Sequence, residues 1–189
     1  MNHDITVERF GVRLRPVCLA DAEFIVRLRN SPSATGFIGD SATDVKSQEA
    51  WLGKHLGKDN DYYFIVERSR DGEPVGTTSV YDVKEGIGEW GRVVIMPGVK
   101  AFPASAWLCL SVGFDALGLQ AIRITAVEYN QKVLSIMEGL GAIRLGVTGM
   151  PQVIQGQAVN VVEFRIPKAD WPRVSAYLEK LARRAEKGL

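Results

Sequence analysis

Hydrophobic residues recur at two spacings along this chain, every second position in some stretches and every third or fourth in others. The first spacing predicts strands and the second predicts helices. Gly11–Val17 alternates apolar and basic residues and reads as a strand. Leu19–Asn30 follows as a helix with Asp21 near its start, Phe24 and Leu28 inward, and Ser31-Pro32 as its break. Val45–Leu56 is a second helix, anchored by Trp51, Leu52 and Leu56 and stopped by Gly57. Tyr62–Arg68 and Val75–Asp82 are strands joined through Arg70-Asp71-Gly72-Glu73, a hairpin signal. Glu85-Gly86-Ile87-Gly88 turns the chain into a strand over Glu89–Met96, whose run Val93, Val94, Ile95 suits a buried sheet position.

Pro97-Gly98 ends that strand, and a long helix follows with Trp107, Leu110, Phe114 and Leu117 on one stripe. Leu108 and Val112 lie off the stripe, so this helix is apolar nearly all round and is expected to be buried. Gly118 closes it, and Ala121–Val127 alternates Ile122, Ile124 and Ala126 against Arg123, Thr125 and Val127. Asn130 is placed to cap a helix with Val133, Ile136, Met137 and Leu140 on one side, ending at Gly141. Strands over Ile143–Val147 and Val159–Ile166 and a terminal helix over Asp170–Lys187 complete the chain. Strand-rich and βαβ-like segments in this order predict an α+β fold around one mixed sheet, with 1–189 as one domain.

Composition narrows the function classes. With 189 residues, 46% hydrophobic and 24% charged, the chain can bury a real core. A formal net charge of +1 argues against nucleic acid or an anionic membrane as the main partner. No apolar run reaches the roughly 20 residues of a membrane span, and MNHDITVERF has no secretory-signal pattern, so a cytoplasmic protein is expected. Two cysteines, Cys18 and Cys109, make no disulfide framework, and two separated histidines make no metal site.

The candidate chemistry lies between Glu89 and Leu117. A strand, a tight loop and a helix N-terminus form a natural anion site, because the first helical turn presents unpaired N–H groups, and Lys100 adds a positive charge. An ordinary strand-to-helix crossover is the plain alternative.

The ordered set LRPVCLADAEFIVRLRNSP, YYFIVERSRDGEPVGTTSVYDV, EWGRVVIMPG and FDALGLQAIRITAVEYNQKVLSIMEGLGAIRLG resembles the GNAT N-acetyltransferase family. The likeness runs from Gly11 to about Val174 and is nearest the branch holding amino-sugar and ribosomal-protein N-terminal acetyltransferases. It implies a mostly antiparallel sheet of six to seven strands, flanked by helices, whose central strands splay apart. Two departures stand out. VKAFPASAW replaces the family's glycine-containing pyrophosphate loop, and Met137 stands where relatives carry a proton-donating tyrosine.

The resemblance implies acetyl-CoA as co-substrate, with its pantetheine along Val93, Val94 and Ile95. Its pyrophosphate would lie at the amides of Lys100, Ala101, Phe102, Ala104 and Ser105, and Asn130 would assist. Transfer to an amine needs a proton acceptor, and Glu89, opening the central strand in apolar surroundings, is the candidate base. Ser135 or water would protonate the thiolate in place of the tyrosine. Arg29, Asn30, Phe37, Tyr81 and Trp90 would bind the acceptor, since aromatics beside a few polar groups suit a sugar ring or a base. The expected activity is acetylation of a primary amine, such as that of a nucleotide-linked amino sugar. Protein N-terminal acetylation and a CoA-binding module with weak catalysis stay open, as does a homodimer.

Overall fold

The computed structural model describes residues 3–32, 34–39 and 42–189. Its organisation follows from the alternation in one strand, Tyr62–Arg68 (β3), which is buried on both faces. Tyr63 and Ile65 point into a core shared with Ile25, Leu28 and Leu52. Phe64 and Val66 point into a larger core on the opposite face, with Trp90, Leu110, Phe114 and Leu178. Period-two alternation thus sends successive residues of one strand into two different cores.

The first core is made by two helices, Ala22–Arg29 (α1) and Val45–His55 (α2). The second lies under Phe102–Ser111 (α3), Gln131–Gly139 (α4) and Trp171–Glu186 (α5). Between them runs an eight-stranded sheet. Its members in chain order are Val7–Arg9 (β1), Val12–Pro16 (β2), β3, Pro74–Lys84 (β4), Ile87–Ile95 (β5), Ala121–Val127 (β6), Ile143–Val147 (β7) and, after a small hairpin, Val161–Pro167 (β10). The spatial order is β1-β2-β3-β4-β5-β6-β10-β7. Only β5 and β6 are parallel. The small hairpin, Gln152–Ile154 (β8) with Gln157–Val159 (β9), forms its own two-stranded sheet.

The mixed, mostly antiparallel sheet is the expected one, with eight strands in place of six or seven. β5 and β6 pair only at Ile87↔Ala121, Gly88↔Ile122 and Glu89↔Arg123. Beyond Glu89 the two strands diverge. Their facing backbone edges have no strand partner there among the described residues.

Several boundaries differ from the sequence reading. β1 joins β2 through Phe10 and Gly11, both at positive φ, a two-residue turn that the run of polar residues before it conceals. β5 begins at Ile87, because Glu85 and Gly86 at φ 51° and 75° complete the turn. The long apolar helix holds α geometry only to Ser111. Val112–Ala116 is a π turn, with the Leu117 N–H bonded to the Val112 carbonyl five residues back. Gly113 sits in it because a Cβ there would lie 2.7 Å from Ile122 Cδ1, so helix and sheet are in close contact. Trp51, expected inward, is 37% exposed and lies stacked on His55 at 3.7 Å.

Candidate active site

Glu89 is the last β5 residue paired with β6, so its side chain stands where the strands part. It is buried, but not among apolar groups as expected. Tyr81 Oη donates to Oε1 at 2.7 Å, Thr125 Oγ1 to the same oxygen at 2.8 Å, and Arg123 to Oε2 at 2.5 Å. A carboxylate offers about four acceptor positions. Three are filled, and the fourth, on Oε2, remains for an incoming group. Burial and the neighbouring carboxylate push the Tyr81 phenol well above its ordinary pKa, so it stays a donor. Gly91 permits this contact, since a Cβ there would lie 2.9 Å from the Tyr81 ring and hydroxyl.

Three residues after Glu89, Arg92 adopts φ 52° within a register shift between Thr77 and Ser79 on β4. The hydroxyls of these two flanking residues donate to the Arg92 and Gly91 carbonyls at 2.8 and 3.1 Å. Such a bulge re-aims the side chains of the strand. Arg92 lies 4.2 Å over the Tyr81 ring and makes a two-pronged pair with Asp61 at 2.6 and 2.9 Å. It also contacts His55 Nε2 at 2.9 Å. Burial, then the Arg92 charge, lowers the pKa of His55, so its imidazole is neutral near pH 7. The Trp51 and Tyr63 rings lie 5.6 and 5.2 Å from the Arg92 guanidinium.

The acceptor residues expected from sequence divide. Arg29 is half-buried near Tyr63, Arg92 and Tyr81, and donates to the Gly39 carbonyl at 3.4 Å. Asn30 closes α1 and holds the loop, its Nδ2 donating to Val26 and Ala42 carbonyls at 2.9 and 3.0 Å. It borders a 450 Å³ cavity with Thr35, Gly39, Ile154 and Gln155. Phe37 packs on Tyr129 with ring centroids 6.0 Å apart, and the Tyr129 hydroxyl donates to the Gly36 carbonyl at 2.6 Å. Trp90 does not belong with these residues. It alternates to the opposite face, is 2% exposed in the larger core and donates to Thr78 Oγ1 at 3.0 Å.

The donor-side residues divide as well. Val93 and Ile95 are half-buried against the larger core, and Val94 is buried in the smaller one. Their stretch of β5 is the unpaired edge. In the loop, the Ser105 N–H already bonds the Ala101 carbonyl at 2.9 Å and Pro103 has none, which removes Ser105 from the expected anion cradle. The amides left for a phosphate are those of Lys100, Ala101, Phe102 and Ala104, which have no backbone partner among the described residues. Lys100 is exposed, and a Cβ on Gly188 at the end of α5 would lie 3.6 Å from its Nζ. Asn130 caps α4, its Oδ1 accepting the Val133 N–H at 3.2 Å, and its amide donors are without a partner among the described residues. Ser135 is exposed and lines a 310 Å³ cavity with Phe102, Leu140, Tyr177 and Leu181, apart from Glu89. Met137 is 3% exposed in the larger core.

Sequence reasoning passed over Arg92, Asp61, His55, Arg123, Thr125 and Tyr129. Arg123 and Thr125 alternate with isoleucines in a strand that has neighbours on both sides. A charge at such a position was the available signal, since an interior strand is usually apolar on both faces only when helices cover both.

The sheet thus parts beside a buried carboxylate, with the N-terminus of α3 following the far end of β5. The acetyltransferase (GNAT) domain profile matches residues 12–143, and the chain belongs to this family. Its fold is similar to that of FdhC, described as a nucleotide-linked sugar GNAT, at 26% identity and TM-score 0.80, covering 95% of this chain and 99% of that one. It is also similar to a variant of the spermidine N-acetyltransferase SpeG from Vibrio cholerae, at 19% identity and TM-score 0.74, covering 87% and 98%. A search of curated proteins finds no match. The family transfers an acetyl group from acetyl-CoA to an acceptor. The ribosomal-protein branch finds no support among these likenesses. Among the described residues no helix is long and apolar enough to cross a membrane, and no cluster of three or more metal-ligating side chains occurs.

Proposed function

We propose that this protein acetylates the primary amine of a small molecule, with a nucleotide-linked amino sugar as the first acceptor class. The observation that carries this reading is Glu89, buried at the parting of β5 and β6 with one acceptor position unfilled. Acetyl-CoA fits as donor because the facing edges beyond Glu89 offer unpaired backbone groups to an extended pantetheine. The amides of Lys100, Ala101, Phe102 and Ala104 suit its pyrophosphate, and the Asn130 amide suits the arm between.

In the reaction the acceptor nitrogen must be uncharged to attack the thioester carbon. The new C–N bond forms, the C–S bond breaks, and coenzyme A leaves as a thiolate. Glu89 receives the proton that the amine gives up, directly or through a water held at Oε2. A main-chain N–H near Val94 polarises the carbonyl oxygen. Water returns a proton to the thiolate, because Ser135 opens onto the separate cavity beside Phe102 and Tyr177. Arg29, Tyr81 and the Arg92 bulge hold the acceptor on the other side of the sheet. FdhC's description as a nucleotide-linked sugar GNAT supports this acceptor class.

The test is Glu89→Gln, which keeps the shape and removes the proton acceptor. Turnover should fall by about 10²–10⁴-fold, while calorimetric affinity for acetyl-CoA stays within about twofold. Wild-type turnover in that variant between pH 6 and 9 would refute the role.

A further inference from the structure

Arg123 on β6 stands directly opposite Arg165 on β10, so two guanidinium groups share one face of the sheet as a cross-strand pair. Arg123 in turn is registered with Glu89 on β5. The row Glu89–Arg123–Arg165 therefore runs outward from the reaction centre on the side of the sheet where the acceptor enters. α1 and α2 cover β2 to β5 on that side, and Arg123 and Arg165 remain 39% and 41% exposed. Like charges directly opposite one another in an antiparallel pair are destabilising. Only one nitrogen of each is committed, Arg123 to Glu89 at 2.5 Å and Arg165 to Glu163 at 3.3 Å. Arg165 Nε is buried and has no hydrogen-bond partner among the described residues. A guanidinium carries five N–H donors, so most of this pair's donors are unspent among the described residues.

We propose that the Arg123–Arg165 pair binds an anionic group, a phosphate or diphosphate, carried by the acceptor amine. Two adjacent guanidiniums suit such an oxyanion in a way that single lysines do not, because each presents a planar fork of donors. The inference rests on the acetyl-transfer reading and adds where the acceptor's charge is held. It also separates two acceptor classes. On the acceptor side Arg92, Arg123 and Arg165 stand beside Asp61, Glu89 and Glu163 respectively. A polyamine needs carboxylates clear of other cations, and Asp61, Glu89 and Glu163 each stand beside an arginine.

The test has two stages. Calorimetry with coenzyme A comes first; if the wild type does not bind it, the donor reading fails and is seen to fail by itself. The coenzyme A-saturated protein is then titrated with inorganic pyrophosphate. Binding is expected, weakened at least tenfold in Arg165→Gln and weakened by added salt. No binding by the wild type, or equal binding in R165Q, overturns the proposal. Acceptor kinetics on the wild type supply a measurement independent of how the variant folds. kcat/KM should be at least tenfold higher for glucosamine 1-phosphate than for glucosamine, with spermidine no better than glucosamine. Equal values, or a preference for spermidine, would also overturn it.

Discussion

At the scale of the residue, burial alone did not decide what a side chain does; its partners did. Glu89 and Trp90 are neighbours in sequence, both buried, and they face opposite ways. One meets three donors at the parting of two strands, and the other fills a core. Met137 belongs with Trp90. It occupies the position where relatives place a tyrosine, but it is packed in the larger core with Leu134 and Leu140. Met137→Tyr should therefore overfill a tight site, at a cost of about 1–3 kcal/mol. In a chain of this size that corresponds to a melting temperature lower by roughly 2–12 °C. Thermal unfolding and turnover of that one variant settle the matter. A stable variant with faster turnover would show a vacant proton-donor site in place of a packed one. The carboxylate at Glu89 was legible in the sequence because it stands shortly before the apolar run Val93, Val94, Ile95. Its donors were not, because Tyr81, Arg123 and Thr125 come from two other strands whose register no local pattern reveals.

At the scale of the element, the alternation of polar and apolar residues gave β3, β6 and β7 to the residue. It failed where the backbone leaves regular geometry. The π turn at Val112–Ala116 and the bulge at Arg92 each add one residue to a regular period. Neither carries a proline or a glycine pair that would announce it. The β8–β9 hairpin was missed for another reason. Its strands are three residues each, too short to show alternation, with the turn at Gln155 and Gly156. The N-terminus of α4 was the opposite case, since an asparagine just before an apolar stripe is a direct signal of a cap. Asn130→Ala should remove the bond to the Val133 N–H and cost about 0.5–2 kcal/mol, read as a lower urea midpoint at unchanged slope. If the Asn130 amide also holds the donor, acetyl-CoA affinity should fall in the same variant. A stability loss with intact affinity would confine this residue to capping.

At the scale of the molecule, the sheet keeps apart the groups proposed for the two substrates. The amides of Lys100, Ala101, Phe102 and Ala104 and the Asn130 side chain, proposed for the donor, belong to elements packed over the larger core, and the groups proposed for the acceptor stand on the face that α1 and α2 cover. The chain order of strands and helices shows this arrangement only in part, since α3 follows β5 yet packs mainly on β2 and β4. What it could not show is that the two sides touch. The Tyr129 hydroxyl, just before the cap of α4, donates to the Gly36 carbonyl in the loop between α1 and α2, across a separation of 93 residues. Phe37 from the same loop packs against the Tyr129 ring. This contact joins the turn that leads into the donor side to the loop that borders the acceptor side, so it fixes the width of the opening from one rim. Tyr129 is 49% exposed, so its hydrogen bond adds little to global stability. Tyr129→Phe keeps the ring contact and removes only the hydroxyl. A net hydrogen bond is worth about 0.5–1.5 kcal/mol, which corresponds to roughly a two- to tenfold rise in the acceptor's KM if the loop positions the acceptor. Acetyl-CoA affinity should stay the same, because the donor groups are on other elements. An unchanged KM would show that the loop encloses the acceptor without orienting it, and a parallel loss of acetyl-CoA affinity would show that the rim serves both substrates.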